Sequence, residues 1–125
     1  MNQLEATVRR QPGLSIIGLR GDIDGDTENV LEDAYNQAEK HDPAAILLNF
    51  AGVDYINSKG IALIVVLLRR ATSSGRRLLA CSLSDHYREI FEITRLADYI
   101  AVCTDEQSAL AQNRPIETAL QASLG

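Results

Sequence analysis

The spacing of apolar and polar positions changes several times along the chain, and each change marks an element. Residues 4–10 (LEATVRR) alternate weakly. Residues 13–21 (GLSIIGLRG) are rich in Ile and Leu between two glycines, so both stretches read as strands. Gln11-Pro12-Gly13 between them is a turn signal, which makes the pair an opening hairpin. Residues 24–41 then place Val30, Leu31, Ala34, Tyr35 and Ala38 at helical spacing, with Asp26 or Thr27 available as the cap and Glu28 in the acidic first turn. His41-Asp42-Pro43 ends that helix.

Residues 44–50 (AAILLNF) form an apolar strand of the kind buried in mid-sheet, and residues 51–57 (AGVDYIN) read as a short loop. A helix is expected from about Ser58 to Ser74, stopped by Gly75. Its eight apolar residues, IALIVVLL, read as the buried stretch of a helix packed on the sheet. Residues 76–83 give the next strand. Residues 84–96 give a helix with a Ser/Asp cap and with Tyr87, Ile90 and Phe91 on one face. A last strand at 98–104 and a helix at 105–114, opening on two acids, complete the pattern. The tail 115–125 reads as loosely helical and is expected to fray.

The order β-β-α-β-α-β-α-β-α predicts a single α/β domain with its core at about 4–112. It should hold a mostly parallel sheet of four to five strands, an opening hairpin and about four helices.

Charge and composition then narrow the function. A net charge of -5 excludes the electrostatic footprint of a general nucleic-acid or anionic-membrane binder. No apolar run approaches the ~18 residues of a membrane helix, and the N-terminus has no signal-peptide core, so a cytoplasmic protein without membrane insertion is expected. Cys81 and Cys103 lie in apolar strand-like runs with no CxxC or Cys/His neighbour, and read as buried, inert thiols.

Catalytic motifs are absent: no HExxH, nucleophile elbow, P-loop or GxGxxG occurs. His41 beside Asp-Pro and His86 in a helical first turn read as solvated surface residues. Asp22, Asp24 and Asp26 alternate through a Gly-rich loop but lack the bidentate Glu of a calcium loop, which leaves turn chemistry and a helix start. No enzyme, metal or cofactor is expected. Ser58 stands apart because it sits where a helix begins. Its hydroxyl can cap that helix, or it can receive a phosphate at the positive helix end, and Gly60 leaves room for another chain to approach.

Three stretches together resemble the STAS domains of the anti-sigma factor antagonist family. LRGDID (19–24) resembles the family's Gly-Glu-Leu-Asp signature at the end of its second strand. AAILLNFAGVDYINSKG (44–60) resembles its apolar strand, its Leu-x-x-Val loop and its Asp-Ser-Ser/Thr-Gly motif. Residues 75–110 resemble the strand, the helix with a Phe and a Leu near its end, the short strand and the acidic helix start that follow. The likeness covers roughly residues 4–112 in co-linear order, with Asn57 at the family's usual Asp and Lys59 at its usual Ser or Thr.

The resemblance implies a partner switch. Such a protein binds an anti-sigma factor that is also a serine protein kinase, frees a sigma factor, is phosphorylated on the motif serine and is reset by a serine phosphatase. Here that serine is Ser58, and Asp22, Asp24, Asn57, Lys59 and Gly60 would shape the partner surface of a monomer or weak dimer. The alternative is a non-phosphorylated STAS scaffold subunit of a transport or stress-signalling complex, in which Ser58 only caps its helix. A small-molecule or nucleotide sensor using the loop ends at 22–26 and 57–60 is the remaining reading, and it lacks a Gly-rich phosphate loop.

Overall fold

The computed structural model of the chain describes residues 3–112. One five-stranded sheet runs in the order β1 (Glu5–Gln11), β2 (Leu14–Ile23), β3 (Ala45–Ile56), β4 (Arg77–Cys81) and β5 (Ala101–Cys103). The β1–β2 hairpin is antiparallel and every other pairing is parallel. Among the described residues four helices accompany it: α1 (Glu28–Glu39), α2 (Ser58–Ser73), α3 (Asp85–Ile93) and α4 (Glu106–Gln112). Short 3₁₀ turns occupy Gly25–Thr27 and Leu96–Asp98. The expected α/β architecture is therefore the observed one. The tail expected to fray lies outside the described residues, as do the last two positions of the helix expected at 105–114.

The central strands are buried on both faces of the sheet. On one, Ile17, Ile46, Leu48 and Leu78 form a core with Tyr35 of α1, Leu67 of α2 and Phe91 of α3. On the other, Leu14, Ile16, Leu47, Leu79 and Cys81 pack with Ala109 of α4. Successive side chains of a strand point to opposite faces, so a strand between two cores must be apolar at every position. Ala45, Ile46, Leu47 and Leu48 are accordingly all fully buried. Cys81 and Cys103 are free, buried thiols on adjacent strands, and burial pushes both above the ordinary thiol range.

Two expectations need correction. The segment 51–57 is not a loop, because β3 continues to Ile56. It does so through two bulges: Gly18 pairs with Asn49, Arg20 with Gly52 and Asp22 with Tyr55, so β3 gains a residue at each shift. Bulges break apolar alternation, and Ala51-Gly52 and Asp54 hide a strand from propensity. Gly21 carries the bend of β2 with φ of 108°, a conformation that side chains disfavour.

The apolar run of α2 is also not wholly buried. Gly60, Ile64, Leu67 and Ala71 are buried, whereas Ile61, Leu63, Val65 and Leu68 are half-buried and Val66 is 45% exposed. A helix turns one residue in 3.6 toward the sheet, so eight consecutive apolar residues cannot all face one core. Gly75, at φ of 72°, ends the helix as expected.

One hydrogen bond fastens the C-terminal end of β3 to the helical layer. The Ile56 N–H donates to the Tyr87 hydroxyl of α3 at 2.8 Å, in a buried setting. Tyr87→Phe leaves that N–H unpaired inside the protein. It should lower the unfolding free energy by about 1–3 kcal/mol in urea titration, with far-UV circular dichroism unchanged.

Candidate functional site

The site is built by two parallel strands that end side by side. Ile23 of β2 faces Ile56 of β3, and the chain then turns at Asp24 and at Asn57, both in extended backbone. Each of these residues uses its side chain as a cap. The Asp24 carboxylate accepts from the Asp26 N–H at 2.9 Å, and the Asn57 side-chain oxygen accepts from the Gly60 N–H at 2.9 Å. Thr27 closes the first turn: its hydroxyl accepts from the Asp24 N–H at 3.2 Å and donates to the Asp24 carbonyl at 2.8 Å. Asn57 N–H donates to the Ile23 carbonyl at 3.2 Å, which ties the two turns together.

Three readings of single residues change here. Neither Asp26 nor Thr27 caps α1 with its side chain; the capping falls to Asp24, at the 3₁₀ turn that precedes the helix. Ser58 is not the cap of α2 either, since Asn57 is, and Ser58 is the first helical residue. Both are good capping residue types and they are adjacent, so the sequence left the choice open by one position. The space at Gly60 is not left for another chain. A Cβ there would lie 2.3 Å from the Ile23 carbonyl oxygen, so the end of β2 already fills it. Gly60 is buried beneath the turn it serves.

With the cap assigned to Asn57, the Ser58 side chain is exposed and its hydroxyl has no hydrogen-bond partner among the described residues. The first N–H groups of a helix have no intrahelical acceptor. Asn57 takes that of Gly60, which leaves those of Ser58 and Lys59 at an exposed helix end. The end carries partial positive charge from the aligned peptide dipoles. Lys59 is exposed as well, but its aliphatic stem lies across Gly25. A Cβ on Gly25 would come within 2.8 Å of Lys59 Cδ. The long side chain covers the turn while its ammonium reaches solvent.

The structure therefore brings Asp24, Asn57, Ser58, Lys59 and Gly60 together. Asp22 stands one pleat back, half-buried and paired with Tyr55, which is 54% exposed. Gly25 and Tyr55 are exposed beside these residues and were not singled out from the sequence, while Thr27, read there only as a possible helix cap, is buried beneath the turn. The Asp24-x-x-Thr27 spacing was a visible signal for the first turn, but nothing local announces that Lys59 will seat on Gly25 across 34 residues. His41 and His86 are both exposed, as expected of solvated side chains.

A parallel sheet with an antiparallel first strand, carrying a capped turn and a helix start at adjacent strand ends, defines a class of small α/β domain. The family described as STAS domain matches residues 5–109, and the chain belongs to it. BtrV of Bordetella bronchiseptica, provisionally named an anti-sigma factor antagonist, is 23% identical over 108 residues, covering 86% of this chain and 93% of that protein. The crystal structure of an anti-sigma factor antagonist from Mycobacterium paratuberculosis superposes with a TM-score of 0.75 at 20% identity, covering 90% of this chain and 96% of that one. The Bacillus cell fate determinant SpoIIAA, solved in its phosphorylated form, gives a TM-score of 0.67 at 19% identity, covering 88% of this chain and 100% of that one.

The assignment of roles predicts a graded series of stabilities, read by urea titration. Asn57→Ala should cost about 0.5–2 kcal/mol, and Asn57→Asp, which keeps the acceptor, much less. Ser58→Ala should stay within about 0.5 kcal/mol of wild type. Gly60→Ala should be the most damaging, at about 1–3 kcal/mol or more, because backbone and not a flexible side chain blocks the new Cβ.

Proposed function

We propose that this chain is an anti-sigma factor antagonist that holds an anti-sigma factor, itself a serine protein kinase, until phosphorylation at Ser58 releases it and a serine phosphatase restores the free form. The observation that carries the proposal is the division of labour at the start of α2. Asn57 holds the helix end, so the Ser58 hydroxyl is exposed and uncommitted, and a kinase can reach it without unwinding a turn. The STAS family assignment and the named relatives support the reading. SpoIIAA, described as an anti-sigma factor antagonist in its unphosphorylated form, is a relative that exists in both states.

The expected energetics suit a switch. A phosphoserine adds about -1.5 to -2 charges at pH 7. In the free protein that charge sits at a helix N-terminus, which favours it. In a docked interface it is desolvated beside Asp22 and Asp24, and a penalty of ~3 kcal/mol weakens binding by more than a hundredfold. Asp22, Asp24, Asn57, Ser58 and Lys59 form the contact surface in this proposal, with Gly60 seating it. Lys59 gives that surface a cation where the family usually has a small hydroxyl, so the matching kinase should present an acid to it.

The test is incubation with ATP and the histidine-kinase-like ATPase encoded nearest to the gene, followed by mass spectrometry. One phosphate on Ser58, absent in Ser58→Ala, is the expected result. Ser58→Asp should bind the same kinase at least about a hundredfold more weakly by calorimetry. Phosphate uptake by Ser58→Ala would remove the site assignment. Failure of the wild type to accept phosphate, with recovery of transporter subunits in a pull-down, would favour the scaffold reading.

A further inference from the structure

At the far end of α2 from Ser58, a groove of about 770 Å³ opens between that helix and the corner after α3. Val65, Leu68, Leu96 and Tyr99 line it, together with Arg69 and Arg95. Ile93 and Tyr99 are 71% and 72% exposed, and Val66, next to Arg69 on α2, is 45% exposed. These are three of the five exposed large hydrophobic residues among the described residues. Of these three Tyr99 lines the groove, beside the half-buried Val65 and Leu68, and apolar surface contiguous around a groove marks an interaction site more often than scattered single residues do.

Charge narrows the occupant. The chain is acidic overall, yet residues 69–77 hold four arginines. Arg70 pairs with Glu39, Arg76 with Glu39 and Asp42, and Arg95 with Asp98. Arg77 donates to the Gln112 carbonyl. Arg69 is exposed and has no ion pair or hydrogen bond among the described residues. We infer that the groove is a second docking site, which takes an acidic amphipathic helix of a partner protein: its apolar side chains enter between Val65, Leu68 and Tyr99, and a carboxylate meets Arg69. A second copy of the chain fits less well, because a two-fold contact would bring both sets of arginines into one apolar seam.

The site is independent of the proposed switch. Arg69 lies eleven residues along α2 from Ser58, about 16 Å at the helical rise. That exceeds the ~8 Å screening length at physiological salt, so charge on Ser58 scarcely reaches the groove. A partner distinct from the kinase that docks at Ser58 stays bound there in both phosphorylation states, while the Ser58 surface opens and closes separately.

Placing the photo-crosslinker benzoylphenylalanine at Tyr99 in the source cells tests this. The cross-linked peptide, mapped by mass spectrometry, should be an acidic amphipathic helix. Its yield should fall by about tenfold or more in Arg69→Glu and stay within about twofold in Ser58→Asp. Arg69→Gln, checked by circular dichroism, should lose yield as well while keeping the fold. Absence of a cross-link, a cross-link to a second copy, or a yield that follows Ser58 instead of Arg69 would overturn the inference. A cross-linked protein that does not phosphorylate Ser58 upholds the groove and leaves the Ser58 proposal to its own kinase assay.

Discussion

The contact on which the site depends is the closure of α2 against the end of β2 at Gly60. No side chain can be present there, because a Cβ would press to 2.3 Å from the Ile23 carbonyl oxygen. That approach lets Asn57 N–H reach the same carbonyl and lets the Asn57 side chain turn back to the Gly60 N–H. With those two bonds made, Ser58 has one place to go, outward on the first turn. A larger residue at position 60 would lift the helix start off the sheet and move every candidate site residue with it. Burial of Ile64, Leu67 and Ala71 further along α2 then holds the rest of the helix down.

This arrangement separates holding from presenting. Buried backbone contacts and the Asn57 cap fix the helix end, while the serine, the lysine and the uncommitted N–H groups stay at the surface. A phosphate added at such a position meets a favourable dipole and no clash within the domain, so its effect falls on whatever is docked outside. Lys59 adds a local refinement. Its stem covers Gly25 and packs the first turn of α2 against the capped turn after β2. The opposite end of α2 is cationic and partly apolar, which gives one helix two surfaces of different chemistry.

Much of this was legible in the sequence, and the reasons for the remainder are physical. The strand at AILL and the amphipathic stripe of α1 were plain because burial on two faces or one imposes its own period on the residues. The full length of β3 was not, since two bulges shift its register opposite β2 and place Gly and Asp inside a strand. The position of Ser58 at a helix start was legible from local residue types. Whether it or Asn57 held the cap was not, because both residues satisfy the same rule and only the seating of Gly60 under Ile23 decides between them. The Lys59–Gly25 contact and the far groove join segments distant in the chain, and short-range pattern carries no record of either.

Encoding phosphoserine directly at position 58, without any kinase, and comparing unfolding free energies by urea titration tests the division between holding and presenting most directly. If Asn57 and Gly60 alone hold the helix end, the phosphorylated chain should be within about 1 kcal/mol of the unmodified one, with a slight gain from the helix dipole. A loss of about 2 kcal/mol or more would mean that Ser58 belongs to the structure it is supposed to leave untouched, and would contradict its role as a surface residue free to switch.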